Sequence, residues 1–210
     1  MPQRIFLLSP AQCGGERAKL LFRPEARFEL AMQLRTPAGA PLGDVFSFLS
    51  GLYFRGKLAY ARRFGCVSDD VCGQLVITTN RGLLPADENV TLTDLRKMGA
   101  VDIHPDDHRY RRPLLRAAKA LCGGIPADCE IILLGSVASG KYVDVLTKVF
   151  RERLLFPREF LGRGDMSRGG LMLRCVDSGS ELEYIPVVGA VRRGVRPPKL
   201  SPRVSTLRRG

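Results

Sequence analysis

Histidine is scarce in this 210-residue chain: there are two, His104 and His108, within one short segment. No Ser/His/Asp nucleophilic arrangement can be assembled from them, so any general acid or base is expected to be a carboxylate, with Asp44 and Asp165 the loop candidates. The two histidines could face one metal only on a regular helix. Pro105 disturbs that turn and no third ligand is evident, so helix capping is the preferred reading and neither metal nor cofactor is expected. The six cysteines (Cys13, Cys66, Cys72, Cys122, Cys129, Cys175) form no C-x-x-C pair, which argues against a zinc site or a disulfide framework. Most are expected to be small buried side chains. An apolar run near the roughly 18 residues of a spanning helix is also missing, and the first ten residues lack the longer apolar stretch of a secretory signal. A cytoplasmic protein with no membrane partner is expected.

What is abundant is positive charge, and its placement matters more than its size. The formal charge is +12, but seven basic residues and no acid lie from Arg192 onward, leaving only +5 for the first 191 residues. That remainder is an ordinary balance for a globular domain. With 45% hydrophobic residues the chain can bury one core of ordinary size. One domain over residues 1–191 is expected, followed by a basic tail at 192–210. Pro197, Pro198 and Pro202 interrupt the tail, which should be extended or disordered: a flexible arm able to touch phosphates without reading sequence, or simply a solubilising one.

Strand and helix signals alternate along the domain. Arg4–Leu8, Gln74–Thr79, Glu130–Leu134 and Leu154–Phe156 read as buried strands. Helices are expected at Glu16–Phe22, from Asp44 through Phe48, over Leu52–Phe64 with Gly65 as the stop, after Thr91 or Thr93, from His104 to Gly123-Gly124, and from Lys141 to about Phe150. Arg27–Arg35 is ambiguous between helix and strand. The stretch after Thr79 reads as a polar loop to Asn89, Gly162–Gly170 as a glycine-rich loop before an apolar run, and residues 181–188 as extended. Spacings too long for hairpins imply βαβ units and a mainly parallel sheet, without internal repeat.

In such a sheet, ligands bind beyond the carboxyl ends of the strands. The expected strands there run into Ser9 with Gly14-Gly15, into Thr79-Asn80-Arg81, and into Gly135-Ser136 with Gly140-Lys141. The last loop nearly spells a phosphate cradle: Gly135 and Gly140-Lys141 have the G-x-x-x-x-G-K spacing, but Tyr142 stands where a Ser or Thr should hold magnesium. Too little chain follows to supply the acidic strand end of an NTPase, so simple anion recognition is the better use of the loop, and a glycine turn with a surface lysine the plainer one. Arg163 and Arg168 could clamp phosphate or carboxylate from the glycine-rich loop, where Asp165 or Ser167 could cap the following helix. Leu52-Tyr-Phe-Arg-Gly-Lys57 mixes aromatics with cations, which suits base stacking by Tyr53, although Tyr53 and Phe54 at helical spacing also read as core.

Four segments carry a resemblance: Ile5-Phe-Leu-Leu-Ser-Pro-Ala11, the Leu52–Lys57 helix, Thr78-Thr-Asn-Arg-Gly-Leu-Leu-Pro85, and Gly162–Leu173. Together they resemble uncharacterised bacterial α/β proteins that are similar in places to YaaA-type peroxide-stress proteins, and distantly like the uracil-DNA-glycosylase fold. The resemblance implies a three-layer α/β/α sandwich and a nucleobase- or nucleic-acid-related role. The glycosylase Gly-x-Asp-Pro signature is absent, since the first loop reads Ser9-Pro10-Ala11, so no catalytic residue carries over. The leading expectation is therefore a nucleotide- or nucleic-acid-binding protein, with metal-independent chemistry at a glycosidic bond as its enzymatic form. A non-catalytic DNA- or RNA-binding accessory protein using the basic arm, and a P-loop-like NTP-binding protein, are the alternatives.

Overall fold

A computed structural model describes residues 3–66 and 72–201. The chain runs β1 (Arg4–Leu8), α1 (Glu16–Phe22), α2 (Glu29–Gln33), β2 (Ala40–Pro41), α3 (Leu42–Ser50), α4 (Leu52–Phe64), β3 (Gln74–Ile77), β4 (Leu83–Pro85), β5 (Asn89–Val90), α5 (Leu92–Gly99), α6 (His108–Gly124), β6 (Glu130–Leu134), α7 (Gly140–Phe150), β7 (Leu154–Pro157), α8 (Asp165–Ser178) and β8 (Tyr184–Pro186). Six strands form one sheet in the order β4-β3-β1-β6-β7-β8. Its four inner strands are parallel and the edge strands β4 and β8 run antiparallel.

Burial of both sheet faces explains the unbroken apolar strands. Side chains alternate along β1, so Phe6 and Leu8 enter a core shared with α1, α3, α4, α5 and α8, while Ile5 and Leu7 enter a second core with α6 and α7. Helices thus cover both faces of a mainly parallel sheet, which bears out the α/β class and is compatible with the expected sandwich. Among the described residues, no helix is long and apolar enough to cross a membrane, and all six cysteines are free.

Several boundaries differ from expectation for local reasons. Arg27–Arg35 resolves as the short helix α2. α3 begins at Leu42, so Asp44 lies inside its first turn rather than capping it. α5 begins after Thr91, whose hydroxyl accepts from the Asp94 amide while the Asp94 carboxylate accepts from the Thr91 amide, a reciprocal cap. α6 starts at His108 with Asp107 as its cap, four residues later than expected, so the two histidines do not share a helix. The supposed polar loop after Thr79 contains β4 and β5, strands too short to show a two-residue period.

The helix pair that shapes the site is α4 with α8. A Cβ at Gly56 would lie 2.7 Å from the Gly169 carbonyl oxygen, and one at Gly169 would lie 2.8 Å from that of Leu52. Only glycine lets the two backbones approach this closely. The crossing brings the first turn of α8 over the first two turns of α4.

Candidate functional site

β1 and β6 are neighbours, and the helices that follow them lie on opposite sheet faces: α1 packs in one core, α7 in the other. Such a reversal opens a crevice at the carboxyl edge. A cavity of about 360 Å³ lies there, lined by Ser9–Gln12 after β1, Leu49 and Ser50 ending α3, Tyr53 of α4, Ser136 after β6, Tyr142 of α7 and Asp165 of α8. Ser9, Tyr53, Ser136 and Asp165, singled out from separate stretches of sequence, meet in this one place.

Beneath the cavity floor is a residue whose role the sequence did not reveal. Lys57 is 0% exposed, and among the described residues no carboxylate forms an ion pair with it. Its Nζ lies 2.9 Å from Ser9 Oγ and also donates to the Ser9 carbonyl. The same nitrogen stands 4.3 Å from the Tyr53 ring centre and 4.8 Å from that of Phe54. Burial pushes the amine down to about 7; the nearby Asp165 charge raises it in part, and Arg168 lowers it further. A signal existed: Phe54, Lys57, Leu58 and Ala61 share the buried stripe of α4, and a lysine within an apolar stripe is a misfit that needs a reason.

Tyr53 is both core and cavity wall. It is 7% exposed, its hydroxyl makes no hydrogen bond although polar groups of Ser9 and Arg168 face it, and burial pushes it up to about 12. Tyr142 also lines the cavity, with its hydroxyl raised by burial. The residue that breaks the magnesium pattern therefore has a place of its own in the crevice.

The expected arginine clamp is rearranged. The segment Gly162–Gly170 is not all loop: α8 begins at Asp165, Gly164 occupies the cap position, and neither Asp165 nor Ser167 caps it by side chain. Arg168 is thereby buried on a helix, where it donates to the Phe160 carbonyl at 3.0 and 3.3 Å and reaches Asp165 at 3.5 Å. Arg163 stays in the loop, donates to Ser167 Oγ at 3.3 Å and leaves its buried Nε unpaired. Arg163 and Arg168 join Arg192, Arg193 and Arg196, with Gly164 among the lining residues, around a cleft of about 620 Å³.

The tail's described part carries no helix or strand and is docked. A Cβ at Gly162 would meet the Val195 carbonyl at 2.1 Å, and Arg174 donates to the Ser201 carbonyl. The expectation for residues 202–210 lies outside the described residues.

Other sequence candidates are placed elsewhere. Asp44 is exposed on the first turn of α3, about 9 Å along the helix from Ser50, and does not line the cavity. Gly14 is exposed and Gly15 caps α1. Arg81 pairs with Glu88 at 3.3 Å, while Asn80 keeps a buried, unpaired Oδ1 beyond β3. Lys141 is exposed, and its carbonyl accepts from Tyr110. The near phosphate loop is built for other reasons: a Cβ at Gly135 would meet Ser9 Cβ at 2.9 Å, and one at Gly140 would meet Asp144 Oδ2 at 2.1 Å. The Asp144 carboxylate, 3.9 Å from Arg192, lies over the first turn of α7, so the space a phosphate would need at the helix start is already taken by an anion and its partner. No cluster of three or more potential metal ligands occurs among the described residues.

Searches against family models, curated proteins and solved structures each find no match.

Proposed function

We propose that the protein recognises a phosphorylated nucleobase ligand, a nucleotide or the end of a nucleic-acid strand, at the carboxyl edge of its sheet. The carrying observation is that two unlike cavities are lined by consecutive residues at the start of α8: Asp165 lines an aromatic-walled polar one between Tyr53 and Tyr142, and Gly164 lines a cleft of five arginines. A base needs a flat, apolar-faced slot with a few polar groups, and its phosphates need guanidinium forks. Tyr53 Oη and Arg163 Nε are buried polar atoms without a hydrogen-bond partner in residues that line the two cavities, and a small side-chain shift would present them to a ligand. The three-layer sandwich implied by the glycosylase-like resemblance accords with this reading.

Thermal shift and fluorescence anisotropy with nucleoside monophosphates and short single-stranded oligonucleotides test the proposal. Binding should be saturable, weaken with salt and fall at least tenfold in an Arg163→Ala/Arg193→Ala protein. Unchanged binding in that variant sinks the bipartite site. If the docked arm alone were responsible, truncation after residue 191 would abolish binding while Tyr53→Ala would leave it untouched. Chemistry at a glycosidic bond would fall to Asp165, the one carboxylate lining the cavity among the described residues; base release from oligonucleotides, lost in Asp165→Asn, is its assay.

A further inference from the structure

The geometry points to a second activity: we propose that Ser9 and Lys57 form a nucleophile and general-base dyad, with Ser9 Oγ attacking the acyl carbon of an ester or activated amide held in the cavity above it. Three observations carry this. Lys57 Nζ is 2.9 Å from Ser9 Oγ, within reach for direct proton transfer. The lysine is wholly buried with no carboxylate ion pair among the described residues, whereas an ammonium in such surroundings is costly and its neutral form is not. Ser9 lines the cavity and Lys57 does not, so Ser9 is the member of the pair nearer to a ligand held there.

The surroundings fit the role. Pro10 restricts Ser9 to extended backbone, and the Ser9 amide donates to the Leu134 carbonyl at 3.2 Å, which fixes the nucleophile at the end of β1. In the neutral lysine, one N–H donates to the Ser9 carbonyl and the lone pair accepts the Ser9 hydroxyl proton. Tyr53, whose hydroxyl faces polar groups of Ser9 and Arg168, lines the same cavity and would supply the donor to a developing oxyanion. The charged and titratable groups facing Lys57 are Asp165 and Arg168 from α8 and Tyr53 on its own helix; burial, opposed by Asp165 and assisted by Arg168, brings the amine down to about 7, so the neutral form is available near neutrality.

The step balances without a metal or redox partner. The proton of Ser9 Oγ passes to Lys57 Nζ as Oγ bonds to the acyl carbon and the carbonyl π pair moves to oxygen. Collapse of the tetrahedral adduct expels the leaving oxygen or nitrogen, which takes that proton from Lys57. Water, deprotonated by the same amine, then releases the carboxylic acid and restores Ser9. The substrate class is an acyl compound small enough for the cavity, its anionic portion directed to the adjoining arginines; that last feature alone rests on the function proposed above.

A fluorophosphonate probe and p-nitrophenyl acetate test the dyad, because neither needs the arginines. Intact-mass and peptide analysis should place one phosphonyl or acetyl group on Ser9, with a rate that rises through about pH 7 and then levels. Ser9→Ala should abolish labelling. Lys57→Met, confirmed folded by its melting curve, should slow it about 100-fold or more, and Lys57→Arg should not restore it because a guanidinium stays protonated. No adduct on Ser9 at pH 8, or labelling of Lys57→Met at the wild-type rate, overturns the proposal. Nucleotide binding is measured separately on Ser9→Ala, which keeps the arginine cleft, so failure of the dyad and failure of nucleotide recognition give different results.

Discussion

The chemistry of Tyr60 and Tyr53, two turns apart on α4, separates one end of the molecule from the other. Tyr60 ends in a closed network: its hydroxyl meets that of Tyr184 at 2.7 Å and accepts from the Leu182 amide at 2.8 Å, Tyr184 donates to Glu181 at 2.7 Å, and Arg4 joins Glu181 at 2.5 Å and Glu130 at 2.8 Å. Tyr53, at the carboxyl edge, has Ser9 and Arg168 nearby but makes no hydrogen bond through its hydroxyl. Of the five buried side-chain atoms without a partner among the described residues, three (Tyr53 Oη, Asn80 Oδ1 and Arg163 Nε) belong to residues at that edge; the other two are Glu159 Oε2, after β7, and Gln3 Oε1, beside the paired network. Since an unmet buried polar group costs about 1–3 kcal/mol, a fold tolerates a cluster of them where something else is gained. The paired region ties strand β1 to β6 and to the chain before β8, and the unpaired one is where the proposed ligand would bind.

The comparison breaks most readily at Arg4. Removing it by Arg4→Ala leaves Glu130 and Glu181 facing one another in half-buried surroundings, and a loss of roughly 2 to 3 kcal/mol in chemical denaturation is expected, with ligand affinity per folded molecule unchanged. A parallel loss of binding would show that the two regions are not independent.

Lys57 should behave in the opposite sense. Its folded value, about 7, lies below its ordinary 10.5, so between these pH values the unfolded chain binds the extra proton and stability from this group rises with pH. Lys57→Met removes the cost of a buried ammonium. The variant should be more stable than the wild type by about 2 kcal/mol near pH 6.5, and that advantage should shrink by a similar amount by pH 8.5. Following the difference between the two proteins cancels the buried cysteines and tyrosines that titrate higher. An advantage that does not vary with pH would mean that Lys57 is charged throughout, and would weaken the dyad.

Smaller still is the contrast between two identical substitutions on one helix. Tyr60→Phe should destabilise by about 1.5 kcal/mol, because Leu182 N–H and Tyr184 lose a partner, while Tyr53→Phe should stabilise by about 1 kcal/mol in the absence of ligand. Equal effects of the same sign would erase the distinction drawn between the two ends.

The parts of this arrangement visible in the sequence are those governed by short-range rules. Glu130–Leu134 was delimited to the residue, because a double-sided apolar run bounded by a charge and a glycine has one sensible reading, and Leu52–Phe64 followed from its stripe and Gly65. The convergence of Ser9, Ser136 and Asp165 was approachable through the parallel-sheet rule, though it takes the α4–α8 crossing to put Asp165 there. That crossing rests on Gly56 meeting Gly169, a contact between residues 113 positions apart that nothing local announces. For the same reason Lys57 passed as a helix cation and Gly140 as a phosphate-loop glycine: the one is explained by Ser9, 48 positions earlier, and the other by Asp144 in its own helix. β4 and β5 escaped because strands of three and two residues are too short for periodicity to register.

The arginine cleft gives the smallest stability effect. Arg193 is exposed on the extended tail and has no ion pair among the described residues, so Arg193→Ala should move stability by less than about 0.5 kcal/mol. Its effect belongs to binding. If Arg193 contacts one phosphate of a single strand, its loss should lower the slope of log affinity against log salt by about 0.7, alike for every base sequence. Glu130→Gln in the paired network is the control: it should cost stability and leave that slope alone. A slope unchanged in Arg193→Ala but reduced by Arg163→Ala would confine the phosphate contacts to the loop before α8 and leave the docked arm as packing.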